Sequence, residues 1–150
     1  MRKRCKRVVR SRGHILLENQ VNKLVLPMHI SLTLLPMGAF TREHANSLAK
    51  VINLVFVDSD GRNPEAYASA KDAGNVLCSM FKRVREGKSW NTTIEERDRL
   101  MKAIVTMDHY VRRFTTDRFL KAAMTVDALN AEAKAKGYGF LDQAPVNKSR

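Results

Sequence analysis

Apolar residues along this chain recur mostly at intervals of three and four, interrupted by prolines, glycines and short polar runs. Such spacing keeps one face of a helix apolar, and the interruptions divide the chain into about five helical segments. The first is expected from about Asn19 to Leu35, with Pro27 inside it and Pro36 ending it, because proline cannot donate to a helix ladder. Two periodicities compete there. Met28-His29-Ile30-Ser31-Leu32-Thr33-Leu34 alternates apolar and polar as a strand would, while Leu26, Ile30 and Leu34 fit a helical stripe. A helix is the expectation and a strand the alternative.

The second segment has Thr41 as N-cap, Glu43 in the positive first turn, and a stripe of Ala45, Leu48, Ile52 and Val55. Asp58-Ser59-Asp60-Gly61 ends it with turn chemistry. The third opens on Asn63 with Pro64 at the first helical position. Ala66, Ala70, Ala73, Leu77, Met80, Phe81 and Val84 then hold helical spacing over five turns, up to Gly87. In the fourth, Glu95 and Glu96 lie in the first turn, and Arg97, Leu100, Ile104, Met107, Val111 and Phe114 trace one face. The fifth is expected to start at Thr116 as cap, to carry Phe119, Ala122, Val126, Leu129 and Ala133, and to close at Gly137. Short links favour antiparallel neighbours. The predicted fold is therefore all-α: a single-domain bundle over residues 19–137, preceded by a flexible basic arm (1–18) and followed by a tail (138–150).

A chain of 150 residues can bury a core without staples. No apolar run approaches the roughly 20 residues of a membrane span. Ile15-Leu16-Leu17 is cut short by Glu18, too early for an export signal. Cys5 and Cys78 form no framework, and free thiols are expected, Cys78 on the apolar side of its helix. Together these features point to the cytoplasm of a bacterial cell.

Charge changes the picture most. The net charge is +12. Arg2, Lys3, Arg4, Lys6, Arg7, Arg10 and Arg12 precede the first acid, Glu18, so more than half of the excess sits in one short arm. With only Val8 and Val9 to bury, such an arm does not fold alone, but it can lie along a phosphate backbone and release counterions. Further cations gather at Lys82, Arg83, Arg85 and Lys88, and again at Arg97, Arg99, Lys102, Arg112, Arg113, Arg118 and Lys121. Acids four residues upstream (Glu95, Asp98, Asp108) favour local ion pairs for Arg99, Lys102 and Arg112. Lys82, Arg83 and Arg113 lack such acids and are the candidates, with the arm, for contact with nucleic acid or a protein partner.

Catalytic chemistry is not apparent. His14, His29, His44 and His109 share no metal-ligand spacing. There is no phosphate loop and no nucleophile elbow. Asp58-Ser59-Asp60-Gly61 departs from a calcium loop, whose glycine comes later and whose twelfth position, here Ser69, is a glutamate. Neither catalytic residues nor metal ligands nor a cofactor are expected. No helix-turn-helix is legible, and Trp90 reads as a plug on the bundle end. Binding dominated by phosphates rather than base edges is what the charges support.

The basic arm, the Leu-Pro near the start of the first helix, and Thr41-Arg42-Glu43 opening a helix that runs into Val51-Ile52-Asn53-Leu54-Val55 form a layout. An Ala-rich helix, a Gly87-to-Trp90 loop and a final helical pair complete it. From roughly Leu24 to Lys136 this layout resembles a set of small helical proteins encoded in phages and prophages of proteobacteria. The resemblance implies an all-helical fold and a mobile-element origin, and it assigns no functional residue. It also implies two roles: handling nucleic acid, or inhibiting a host defence (such as CRISPR-type) or nucleic-acid-processing complex.

Overall fold

The computed structural model describes residues 18–137. They form five α-helices: α1 (Glu18–Leu34), α2 (Arg42–Ser59), α3 (Pro64–Arg85), α4 (Ile94–Val111) and α5 (Thr116–Ala135). No strand forms among the described residues, so the chain is an all-α bundle. The basic arm from Arg2 to Arg12 and the tail 138–150 lie outside the described residues.

Helix α2 is the central element and touches each of the other four, while α3 and α4 pack on one another and α1 closes the α2–α4 face. The expected stripes of α2, α3 and α4 point inward. Leu48, Val55, Leu77, Met80, Leu100, Ile104 and Met107 are fully buried. Helix α5 lies along α2 and buries only Ala122 and Val126 of its own residues, against Leu54. Phe114, expected as the last residue of the α4 stripe, falls in the link after α4 but is still fully buried.

Helix α1 settles the competition around Met28 to Leu34 in favour of a helix that runs through Pro27. Its buried residues are Val21, Val25, Met28 and Ser31, not the expected Leu26–Ile30–Leu34 stripe. Leu26 and Ile30 are exposed. The reason is that α1 is apolar on several sides, so its period alone does not choose a face. Its seat against α2 and α4 does. Ser31 is tolerated in the core because its hydroxyl donates to the Pro27 carbonyl at 2.7 Å.

The helix ends follow local chemistry. Thr41 caps α2, with its N–H donating to Nδ1 of His44 at 3.1 Å. Asn63 Oδ1 accepts from the Ala66 N–H at 2.9 Å. Gly87, at φ 80°, ends α3 in a Schellman turn: Lys88 N–H reaches the Arg83 carbonyl and Gly87 N–H the Val84 carbonyl, both at 3.0 Å. A residue with a Cβ would be strained there. The α5 cap is Thr115 rather than the expected Thr116. Its hydroxyl accepts from Arg118 N–H, and Thr116 is the first helical residue. Trp90 does plug one bundle end, edge-on to Phe81 (centroids 5.1 Å apart) and Phe40 (5.6 Å). Cys78, expected on the apolar side of α3, is exposed.

Candidate nucleic-acid interface

The last turn of α2 carries a buried carboxylate, Asp58, at 7% exposure. Such a group needs donors, because an unpaired buried charge is costly. Tyr110 of α4 supplies one, its hydroxyl donating to Asp58 Oδ2 at 2.8 Å. Arg118, in the first turn of α5, pairs with the same oxygen and donates from Nη2 to the Tyr110 hydroxyl at 2.8 Å. Its guanidinium carbon also lies 5.5 Å from the ring centres of both Tyr110 and Phe114. One triad thus locks α2, α4 and α5 together. Burial, and then the hydrogen bond to Asp58, push the Tyr110 phenol up to about 12. The Asp58 hydrogen bond likewise raises the Arg118 pKa. Sequence reasoning placed Asp58 in a turn and Arg118 in a cluster of cations and missed this triad. A lone acid at the end of an apolar stripe was the available signal.

Beside the triad, between the start of α3 and the α4–α5 link, lies an open cleft of about 480 Å³. Arg62, Glu65, His109, Tyr110, Arg113 and Arg118 line it. Arg113 is exposed, and its side chain has no hydrogen-bond or ion-pair partner among the described residues. Arg62 is half exposed and stands 4.0 Å from Asp58.

The second cation group lies at the other end of α3. Arg83, expected to be unpaired, is not. Its Nη1 and Nη2 donate to the two carboxylate oxygens of Glu96 at 2.7 and 2.9 Å, and Nη2 also reaches the Asn91 carbonyl at 3.1 Å. The acid lies 13 residues downstream, where no short-range rule looks. Glu96 Oε2 also accepts the Thr93 N–H at 3.0 Å while Thr93 Oγ1 accepts the Glu96 N–H, so one side chain closes a capping box and pins α3 to α4. Burial acts to raise the Glu96 pKa, but the Arg83 and Thr93 hydrogen bonds outweigh it, leaving the carboxyl below its ordinary value. The Arg83 Nε–H is buried without a partner, which offsets part of the gain. Arg83 is thus a structural cation.

Other arginines are similarly engaged. Arg99 forks onto Asp72 of α3 rather than pairing with Glu95, and its hydrogen bonds hold the Asp72 carboxyl below the usual range. Arg112 pairs with Asp108 as expected, at 2.6 Å, and Asp108 also meets His29 of α1 at 3.1 Å. Asp98 and Lys102 form no pair. Lys82 stays exposed and without an ion pair among the described residues, and it acts weakly on Glu86 one turn on. Lys82 and Arg113 are not brought together. Lys82 is 16 residues along α3 from Ala66, a lining residue of the cleft, or roughly 24 Å at the helical rise.

Among the described residues no group of His, Cys, Asp or Glu is arranged to hold a metal ion, and no helix is long and apolar enough to cross a membrane. The chain matches no family model, no curated protein and no solved structure.

Proposed function

We propose that this is a non-enzymatic accessory protein of a phage or other mobile element, acting in the host cytoplasm, that binds nucleic acid through its phosphates. The observation that carries the reading is where positive charge is left unspent. Arg83, Arg99, Arg112 and Arg118 are consumed by internal acids. The side chains of Lys82 and Arg113 are exposed and unpaired among the described residues, and seven further cations precede Glu18 in the sequence. The rise of roughly 24 Å along α3 from Ala66, which lines the Arg113 cleft, to Lys82 corresponds to about seven base-pair steps. Binding of this kind is set by phosphate spacing and carries no base readout.

The test is a salt titration of nucleic-acid affinity. The slope of log affinity against log salt is expected near 0.7–0.9 per phosphate contacted. Deleting Met1 to Arg12 flattens it by several units, and Lys82→Gln or Arg113→Gln by about one unit each. Binding absent at low salt, or unchanged without the arm, sinks the reading. A second reading, inhibition of a host defence or nucleic-acid-processing complex, is favoured by an apolar groove between α1 and α4 lined by Leu32, Pro36, Met101 and Val105, where Met101 and Val105 are exposed. It predicts capture of a protein target from nuclease-treated lysate that survives loss of the arm.

A further inference from the structure

Three guanidinium groups from three separate segments line the cleft beside the Asp58 triad. Arg62 comes from the α2–α3 turn, Arg113 from the α4–α5 link and Arg118 from the first turn of α5. Arg118 and Arg62 meet a protein acid, Asp58, and neither is saturated by it. The Asp58 carboxylate receives Arg118 and the Tyr110 hydroxyl, and Arg62 stands farther off at 4.0 Å. Arg118 is engaged through Nε and Nη2, so its Nη1 keeps both N–H groups without a partner among the described residues. Asp58 and the flanking Tyr110 and Phe114 rings fix the plane of this guanidinium, so little side-chain freedom remains to be lost on binding. The Arg113 guanidinium has no partner among the described residues.

The first turn of α3 adjoins the cleft, but Asn63 takes the Ala66 N–H, Pro64 has none and the Glu65 carboxylate stands there. The arginine side chains therefore carry the recognition argued for this cleft. Guanidinium forks match the oxygens of a phosphoryl group better than a single point charge does. A phosphodiester offers two non-bridging oxygens and one negative charge. A terminal phosphate monoester offers three oxygens and close to two charges at neutral pH, which suits three guanidiniums lining one cleft. At about 480 Å³ the open cleft exceeds a bare phosphate and falls in the general range of small-ligand sites. The exposed His109 imidazole lines it too and supplies a flat face for an attached base.

We infer that this cleft is a binding site for a terminal phosphate monoester, carried by a nucleic-acid strand end or by a free nucleotide. The inference deepens the nucleic-acid reading by naming the group recognised. It rests on that reading for the strand but not for the phosphate. The Glu65 carboxylate also lines the cleft, without a hydrogen bond or ion pair among the described residues, and it opposes an anionic ligand. The site therefore makes predictions of both signs.

The full chain is titrated at low salt with a terminally phosphorylated oligonucleotide, its hydroxyl-ended twin, a nucleoside monophosphate and inorganic phosphate, binding being followed by calorimetry and by backbone amide shifts. The phosphorylated strand is expected to bind about tenfold more tightly than its twin, the worth of one or two charge-assisted hydrogen bonds. Arg113→Gln abolishes that preference. The Arg113 side chain is exposed and holds no other group among the described residues, so the described fold is not at stake. Glu65→Gln strengthens binding of every phosphate ligand, a gain that a damaged protein would not show. Equal affinity for the two strands, with salt-dependent binding retained, overturns the site and leaves the general nucleic-acid reading standing. Binding of the monophosphate and of phosphate with no binding of either strand supports the site and overturns the strand reading. Failure of all four ligands overturns both.

Discussion

Replacing Asp58 with alanine removes the acceptor on which α2, α4 and α5 converge. In the native chain the carboxylate accepts a hydrogen bond from the Tyr110 hydroxyl at 2.8 Å and pairs with Arg118, both in a site where Asp58 is only 7% exposed. Each hydrogen bond to a charged group contributes about 1.5–3 kcal/mol. Leaving one partner of a buried ion pair uncompensated costs about 3–5 kcal/mol. Arg118 retains some access to solvent, its side chain being 29% exposed, and it keeps its contacts with two aromatic rings. The expected loss therefore lies at the lower end, about 3 kcal/mol. Asp58→Asn keeps an acceptor for Tyr110 but forfeits the charge and should lose roughly half as much. Urea unfolding followed by circular dichroism reads this as a midpoint shift of about 1–3 M, for a slope of about 1–3 kcal/mol per M. The double variant Asp58→Ala/Arg118→Met supplies the control, since it removes the stranded cation and should recover part of the loss. A loss below about 0.5 kcal/mol for Asp58→Ala would mean that the triad is an exposed pair of little consequence.

Three further outcomes are expected. Leu77 is fully buried in the α3 stripe, so Leu77→Ala should cost about 2–5 kcal/mol in the same unfolding assay, and a change under about 0.5 kcal/mol would put the wrong face inside. In an ultraviolet titration of the phenols, Tyr110 should ionise last, at about 12, and Tyr110→Phe should delete that component. Because this value is raised in the folded state, the stability it contributes is complete below the ordinary tyrosine value of 10.0 and is lost as pH rises towards about 12. Pro27 interrupts the ladder of α1 well inside the helix, so Pro27→Ala should stabilise the protein by about 1–3 kcal/mol, and a lower melting temperature would show that the chain is fitted to the proline.

Much of the fold was legible in the sequence because it depends on neighbours three or four residues apart. The stripes of α2, α3 and α4, Asn63 with Pro64 opening α3, and Gly87 closing it each need only local chemistry. The Arg112–Asp108 pair is one helical turn long and was read for the same reason. Thr93-Ile94-Glu95-Glu96 also spells a capping box, so that part of Glu96's role was there to be read. Which face of α1 is buried was not, because its apolar residues surround the helix and the choice belongs to α2 and α4. The partners of Arg83 and Arg99 lie 13 and 27 residues away, and those of Arg118 and Tyr110 lie 60 and 52 residues away at Asp58. No period or motif links positions so far apart. The sequence by itself thus determined five helices, most of their ends and an excess of positive charge. Only the tertiary structure decided which cations that charge leaves free, because ion pairing across helices depends on which side chains packing brings within hydrogen-bond reach.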